Sequence, residues 1–182
     1  MLLNFSVQAP KFNLTILRKG TAFGYSPRMR FDLVVNSMYR SIVESQSIEV
    51  HHGGNMWRPL VSVETICNAY IKMIESHDTA DIVNVSSGNI KIIDLAKMIK
   101  SISPKTIGID PDLTIISGDI GNTRSYKVDA SLLEQQYEMD VPGLETSICD
   151  EFQKMRNFEY DFDDKRYYNI EIMDGIDELQ GN

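Results

Sequence analysis

Residues 13–43, NLTILRKGTAFGYSPRMRFDLVVNSMYRSIV, indicate the fold class of this chain. The apolar run at 13–18, bounded by Pro10 and Gly20, is typical of a buried β-strand. Turn residues follow at 24–27, and apolar residues then recur at helical spacing: Phe31, Val34, Val35, Met38, Tyr39, Ile42 and Val43. A strand that leads through a turn into an amphipathic helix predicts an α/β unit.

The same alternation continues along the chain. We predict further strands at 48–50, 58–63, 81–85, 105–109 and 113–116, with extended backbone at 124–128. We predict helices at 66–74, 92–99, 130–137 and 144–155. The first of these presents Ile66, Ala69, Tyr70, Met73 and Ile74 on one apolar face. The sequence therefore predicts a layered α/β protein.

The negative charge is concentrated at the carboxyl end. The whole chain of 182 residues carries a formal net charge of −8, and residues 159–182 hold eight of the acids against Lys165 and Arg166. We therefore predict a domain at 1–158 and an acidic tail at 159–182. The charge favours a solvated extension, but the tail's aromatic residues leave docking on a partner or on the domain open. Neither part has the basic face that nucleic-acid binding requires.

Several other classes of protein are disfavoured. Apolar runs stay well short of the ~18 residues of a membrane span, and residues 1–5 lack a basic signal-peptide region. Cys67 and Cys149 are far apart and fall within predicted helices, so we expect small core residues in a reduced, cytoplasmic protein. His51 and His52 are adjacent and would point apart on a strand, which argues against a metal site.

The motifs of cofactor binding and catalysis are missing from these 182 residues. Gly118 and Gly121 have the spacing of a GxxGxxG loop, but Arg124 occupies its third position. No Tyr is followed four residues later by Lys, and neither a P-loop nor a GxSxG motif occurs. We therefore predict no catalytic residue in this chain.

Four segments together resemble a known family. They are PRMRFDLVVN at 27–36, WRPLVSV at 57–63, NVSSG at 84–88 and RSYKVD at 124–129. In this order, over about residues 1–157, they resemble the extended short-chain dehydrogenase/reductases, and within them the NAD-dependent epimerase/dehydratase family of nucleotide-sugar enzymes. The resemblance implies a partial Rossmann-type sheet plus a small substrate-binding α/β subdomain. It also implies NAD as the family's cofactor and a nucleoside-diphosphate sugar as the ligand.

The resemblance further implies that the chain is the carboxyl-terminal half of such an enzyme. In that family the first ~150 residues form the dinucleotide-binding domain, and residues 1–7 would end the helix that carries a Tyr-x-x-x-Lys pair. We expect this half to be inactive alone and to need a separate amino-terminal NAD-binding half. A non-catalytic nucleotide-sugar-binding module and a decayed fragment remain alternatives.

Two arginines are the strongest candidates for ligand binding. Arg58 opens an extended segment, and its planar fork can grip a diphosphate in a bidentate way that lysine cannot. By resemblance this position holds the substrate diphosphate, whereas the alternative is a surface arginine that caps a carbonyl or pairs with an acid. Arg124 follows the same logic, although Asn122 stands where the family has an acid.

The remaining candidates also come from the resemblance. Gly20 and Thr21, in the turn after the first strand, would contact the nicotinamide, with an ordinary loop threonine as the alternative. Asn36, which could equally be a helix-surface residue, would contact the phosphate or sugar. The other implied substrate contacts are Arg28, Arg30, Asn84 and Ser86. Two departures, Thr65 for Asp and Lys91 for a small hydroxyl residue, predict weakened starts of two helices by about 0.5–2 kcal/mol.

Overall fold

The computed structural model describes residues 14–76, 82–118 and 124–169. Its strands are β1 Ile16–Lys19, β2 Thr21–Phe23, β3 Ser47–Val50, β4 Trp57–Ser62, β5 Ile82–Val85, β6 Gly88–Lys91 and β7 Asp112–Ile115. Its helices are α1 Val34–Ser45, α2 Val63–Glu75, α3 Ile92–Thr106, α4 Leu132–Gln135 and α5 Leu144–Met155. Short 3-10 turns lie at His51–Gly54 and Lys165–Tyr167. The predictions for residues 1–7, 13 and 81 fall outside the described residues.

The strands form three small sheets. β2 pairs in parallel with β4, and β4 pairs antiparallel with β6. β1 pairs in parallel with β5, and β3 pairs in parallel with β7. The predicted α/β class is therefore confirmed. Within the described part of the chain, no helix has the length and apolar character needed to cross a membrane.

Gly20 joins two of these sheets. Its N–H donates to the carbonyl oxygen of Val85 at 2.9 Å, at the end of the β1–β5 pair. A Cβ atom at this position would lie 2.9 Å from the carbonyl oxygen of Pro59 in β4. The backbone of β4 thus passes so close that only glycine fits. Because of this contact, the chain stops pairing with β5 after Lys19 and starts pairing with β4 at Thr21, with only Gly20 between the two strands.

Two apolar clusters stabilise the arrangement. The larger lies among α1, α3, α5 and the strands between them, with Ile42, Ile48, Leu95, Ile99 and Phe152 fully buried. The smaller joins α2 and α4 to the β1–β5 pair and contains Val61, Ala69, Met73, Val83, Val85 and Leu133. These clusters account for the helical spacing that the sequence shows.

Several predicted elements need correction. The predicted strand at 105–109 is wrong, because Lys105 and Thr106 continue α3 through Pro104. The helix ends where Ile107 and Gly108 (φ +78°) both donate their N–H groups to the carbonyl of Ser103, a turn that favours glycine. α1 begins at Val34, so Phe31 precedes it. The helix at 130–137 shortens to Leu132–Gln135, and strand β6 was not predicted.

The outer face of α2 also differs from the prediction. Ile66, Ala69 and Met73 pack inward, whereas Tyr70 is 44% and Ile74 is 82% exposed. Cys67 lies on the same outer side and is exposed, so its prediction as a core residue was wrong. A helix that packs through one narrow stripe leaves the neighbouring positions in solvent.

The two helix starts behave differently. The Ser62 side chain accepts a hydrogen bond from the Thr65 N–H at 3.0 Å, and the two hydroxyls are 2.9 Å apart and buried. Ser62 therefore still caps α2, and the expected weakening relative to an acid at position 65 stays a prediction. At α3 the cap residue Lys91 makes no side-chain capping bond, which agrees with the prediction.

The first part of the acidic tail packs on the domain. The rings of Tyr160, Phe162 and Tyr167 meet the buried ring of Phe31 edge-on, with centroids 5.2, 4.9 and 5.4 Å away. The Phe31 N–H also donates to the carbonyl of Tyr167 at 3.2 Å. Of the two possibilities left open by the sequence, residues 160–168 therefore follow docking on the domain itself.

Replacing the ring at the centre of this contact tests its weight. We expect Phe31→Ala to lower the free energy of unfolding by about 3–5 kcal/mol, as for other buried phenylalanines. Ile74→Ala, at an exposed position, should change it by less than about 0.5 kcal/mol. Urea unfolding measures both, and similar losses for the two variants would contradict the packing role of Phe31.

Candidate ligand-binding site

An extended segment at 124–131 forms one wall of the candidate site. Its Tyr126 N–H donates to the carbonyl of Trp57 at 3.3 Å, and the Ser125 hydroxyl accepts from the Trp57 N–H at 3.1 Å. The side-chain amide of Asn89 then accepts from the N–H of Val128 at 2.8 Å and donates to its carbonyl at 2.9 Å. The segment is thus fixed to β4 and β6 without being a strand.

Asn84 connects the same segment to β1. Its side-chain oxygen accepts from Arg18 Nε at 3.0 Å, and its side-chain nitrogen donates to the carbonyl of Asp129 at 2.7 Å. Asn84 and Arg18 are also register partners in the β1–β5 pair. The amide predicted to contact substrate therefore already bonds on both sides within the protein.

The Arg58 side chain lies against the backbone of Arg124. Arg58 Nη1 donates to the carbonyl of Trp57 at 2.9 Å and to the carbonyl of Arg124. The Arg58 guanidinium also lies 5.8 Å from the ring centroid of Tyr126. Among the described residues, no carboxylate forms a salt bridge with either arginine. Within the described structure their positive charges thus have no acidic partner, an arrangement that favours an anionic ligand.

Trp57 carries two further cations that the sequence reasoning did not select. Lys127 Nζ lies 3.7 Å and Lys91 Nζ 5.8 Å from its ring centroid. Both distances fall in the range of cation–π attraction. Lys91 is also the register partner of Trp57 across β4 and β6. Trp57 and Lys127 lie inside two of the quoted segments, so the sequence could have suggested them as site residues. That Lys91 also contacts Trp57 depends on the pairing of β4 with β6, which the sequence did not predict.

A second group of predicted residues surrounds the turn after β2. Asn36 is 3% exposed, so it is no helix-surface residue. Its side-chain oxygen accepts from the Gly24 N–H at 3.0 Å, and its nitrogen donates to the carbonyl of Arg30 at 3.1 Å. Thr21 begins β2 and is the register partner of Leu60 in β4. The β2–β4 pair therefore links this turn to Arg58, which lies in β4.

Arg30, next to this turn, has an acidic partner, unlike Arg58 and Arg124. Arg30 Nε and Nη2 donate to the two carboxylate oxygens of Asp32 at 2.7 and 2.6 Å. Burial opposes the charged form of Asp32, but the hydrogen bond and charge of Arg30 outweigh it and keep the pKa of Asp32 below its ordinary value. Arg28 Nη2 donates to the side-chain oxygen of Asn169 at 2.6 Å.

A polar cavity adjoins the extended segment at 124–131. Its volume is about 680 Å³, within the range of small-molecule sites. Its lining includes Ser86, Ser87, Asn89, Lys127 and Asp129. Ser86 Oγ bonds the carbonyls of Leu60 and Gly88, whereas Ser87 Oγ is buried with no hydrogen-bond partner in the described structure.

Comparison with known families finds a match for the first part of the chain. The family model described as "NAD dependent epimerase/dehydratase family" matches residues 1–86, which include Gly20, Asn36, Arg58 and Asn84. This part of the chain is therefore similar to the NAD-dependent epimerase/dehydratase family. A search of the curated proteins found no matching sequence.

Solved structures of epimerases and dehydratases share the fold. UDP-glucose 4-epimerase from Thermotoga maritima, solved with UDP-glucose, is 18% identical with a TM-score of 0.66, over 86% of this chain and 50% of that one. dTDP-glucose 4,6-dehydratase from Bacillus anthracis, solved with NAD, is 13% identical with a TM-score of 0.66, over 92% and 50%. UDP-glucuronic acid 4-epimerase from Bacillus cereus is 18% identical with a TM-score of 0.63, over 86% and 49%. The chain thus shares their Rossmann-type fold in part and spans about half their length.

The two hydrogen bonds by which Asn89 clamps Val128, and with it the segment at 124–131, can be tested by proteolysis. Asn89→Ala removes two hydrogen bonds, each worth about 0.5–1.5 kcal/mol, so the segment should open about tenfold more often. Trypsin should then cleave after Arg124 and Lys127 about tenfold faster. Asn68→Ala, at an exposed position of α2, should leave the rate unchanged. Equal rates in the Asn89 variant and the parent would contradict the clamp.

Proposed function

We propose that this chain supplies the nucleotide-sugar-binding part of an NAD-dependent epimerase or dehydratase. The observation that carries the proposal is that Arg58 donates to the backbone carbonyl of Arg124 and that neither arginine has an acidic partner among the described residues. In a chain of net charge −8, two uncompensated guanidinium groups favour a strongly anionic ligand such as a diphosphate. The solved structures with UDP-glucose and UDP-glucuronic acid support this choice of ligand.

The other predicted residues complete the proposed site. Thr21 and Gly20 stand at the junction of β1, β2 and β4 and would face the sugar and the nicotinamide. Arg30, Asn36 and Asn84 hold the surrounding backbone through the contacts described above, and we propose that their ligand contacts are formed beside these bonds. No residue of the chain is assigned as a catalytic acid or base.

The described residues do not fit the pyrophosphate of NAD. β4 and β6 pass directly into α2 and α3, at Ser62–Val63 and Lys91–Ile92, without an intervening glycine turn. After β2, the Gly24 and Tyr25 N–H groups are already bonded to Asn36 and Glu151. A dinucleotide site needs free backbone N–H groups at a helix start. NAD, the cofactor of the family, therefore has to be held by another part of the enzyme.

We propose that a dinucleotide-binding part docks beside β1. β1 pairs with β5 on one edge, and no described strand pairs with its other edge. Parallel strands are normally enclosed by neighbours and covered on both faces. Tyr70, Ile71 and Ile74 on α2 and Ile82 on β5 also expose apolar surface. The partner would be a separate NAD-binding half that brings the glycine-rich loop and the Tyr-x-x-x-Lys pair.

The reaction type and location remain at the level of the family. Epimerases are isomerases and dehydratases are lyases, and both occur among the similar structures. We propose a cytoplasmic site of action, since Cys67 and Cys149 are both free thiols on different helices. A non-catalytic binding module is the second candidate, and the uncompensated arginines favour it over a decayed fragment.

Titration with UDP-glucose and dTDP-glucose tests the proposal. Arg58→Ala should weaken binding by more than tenfold, since a charge-assisted hydrogen bond contributes about 1.5–3 kcal/mol. Arg166→Ala removes an equal charge from the exposed tail, where it pairs with Asp164, and should leave binding unchanged. Calorimetry measures both. Equal affinities of the Arg58 variant and the parent would return Arg58 to a purely structural role.

A further inference from the structure

Glu151 on α5 is a buried acid that neither the sequence nor the family pattern singled out. Its side chain is 3% exposed, although glutamate is rarely buried without a partner. Its Oε2 atom accepts a hydrogen bond from the Tyr25 N–H at 2.8 Å. A residue on a distant helix thus holds the backbone of the turn that follows β2.

The turn is shaped to receive this carboxylate. Gly24 has a φ of +112°, and a Cβ atom there would lie 2.4 Å from Glu151 Oε2. Any side chain at position 24 would displace the carboxylate or distort the turn. Glycine at this position therefore lets the turn close directly on Glu151.

Two consecutive N–H groups of the turn are bonded to two buried side chains. Gly24 donates to Asn36 at 3.0 Å, and Tyr25 donates to Glu151. Asn36 in turn donates to the carbonyl of Arg30. The two acceptors fix the backbone from both sides, at the carboxyl end of a strand where α/β proteins bind their ligands.

The negative charge of Glu151 on α5 is balanced by Lys154 of the same helix, which also pairs with Glu64 of α2. Lys154 Nζ lies 3.1 Å from Glu151 Oε1 and 2.5 Å from Glu64 Oε2. The hydrogen bond to Glu64 contributes most to raising the pKa of Lys154 above its ordinary value. Glu64 lies in the first turn of α2, directly after β4. Lys154 therefore orients one carboxylate oxygen and leaves the other for the turn.

We propose that Glu151 is a positioning residue of the ligand site. It holds the Gly24–Tyr25 backbone, and through it Thr21 at the start of β2 and the Asn36–Arg30 contact. This rests on the proposed function only for the identity of the ligand. Glu151 itself touches neither sugar nor cofactor in this scheme.

Amide hydrogen exchange, followed by NMR on the full 182-residue chain, tests the hold on the turn. Glu151→Ala should speed exchange of the Tyr25 N–H by about tenfold or more, because a hydrogen bond to a charged group is lost. Glu151→Gln keeps an acceptor oxygen and should stay within about threefold of the parent. Asp150→Asn, an equal neutralisation at the exposed neighbouring position, should change nothing. Unchanged Tyr25 exchange in Glu151→Ala would overturn the proposal.

A second variant guards against simple unfolding. Gly24→Ala pushes the carboxylate away from the opposite side and should also speed Tyr25 exchange. The amides of Val61 and Ile99, in the two apolar clusters, should keep the protection they have in the parent. Loss of protection at all sites in Glu151→Ala, together with normal Tyr25 protection in Gly24→Ala, would show a general structural role and overturn the proposal.

Ligand affinity separates positioning from stability. Glu151→Ala should bind UDP-glucose about tenfold more weakly, a change of about 1.4 kcal/mol, and Glu151→Gln should largely restore binding. Normal affinity despite a released Tyr25 amide would overturn the positioning role. If the parent binds no nucleoside-diphosphate sugar, the proposed function fails, and the exchange result still decides whether Glu151 holds the turn.

Discussion

The close approach of Gly20 to Pro59 is the constraint on which the candidate site depends. A side chain at position 20 would collide with the β4 carbonyl at 2.9 Å, so this glycine allows β1 and β2 to follow each other without a loop. One strand then pairs with β5 and the next with β4. Thr21, the β4 residues after Arg58 and the end of β5 at Val85 consequently meet at one junction.

Charge compensation divides the arginines near this junction into two kinds. Arg30 is bonded to both oxygens of Asp32, and its role in the free protein is to hold the turn before α1. Arg58 donates instead to the backbone carbonyls of Trp57 and Arg124, which orients its guanidinium group without neutralising it. A guanidinium group that is oriented but unpaired is prepared for an anionic ligand, because binding then breaks no salt bridge.

The sequence predicted what local periodicity controls and missed what distant contacts control. α1, α2, α3 and α5 were predicted from their apolar spacing, and Arg58 and Arg124 from short motifs. The prediction of a strand at 105–109 was wrong because Lys105 and Thr106 extend α3 past Pro104, which apolar content alone does not reveal. Glu151 was not predicted as a site residue because its partners, Gly24 and Tyr25, lie more than 120 residues away along the chain. The charge of the tail favoured a solvated extension, whereas its aromatic rings pack on the ring of Phe31.

We propose that this chain provides the sugar-binding part of an enzyme that a dinucleotide-binding part completes. The most direct measurement is turnover of UDP-glucose or dTDP-glucose after co-expression with such a part, supplied as a second chain from the same genome. A soluble complex with bound NAD that converts one of these sugars, and that assembles normally but turns over poorly with Arg58→Ala, is the expected result. A complex that assembles and converts no nucleotide sugar would contradict the claim and leave the non-catalytic binding module in its place.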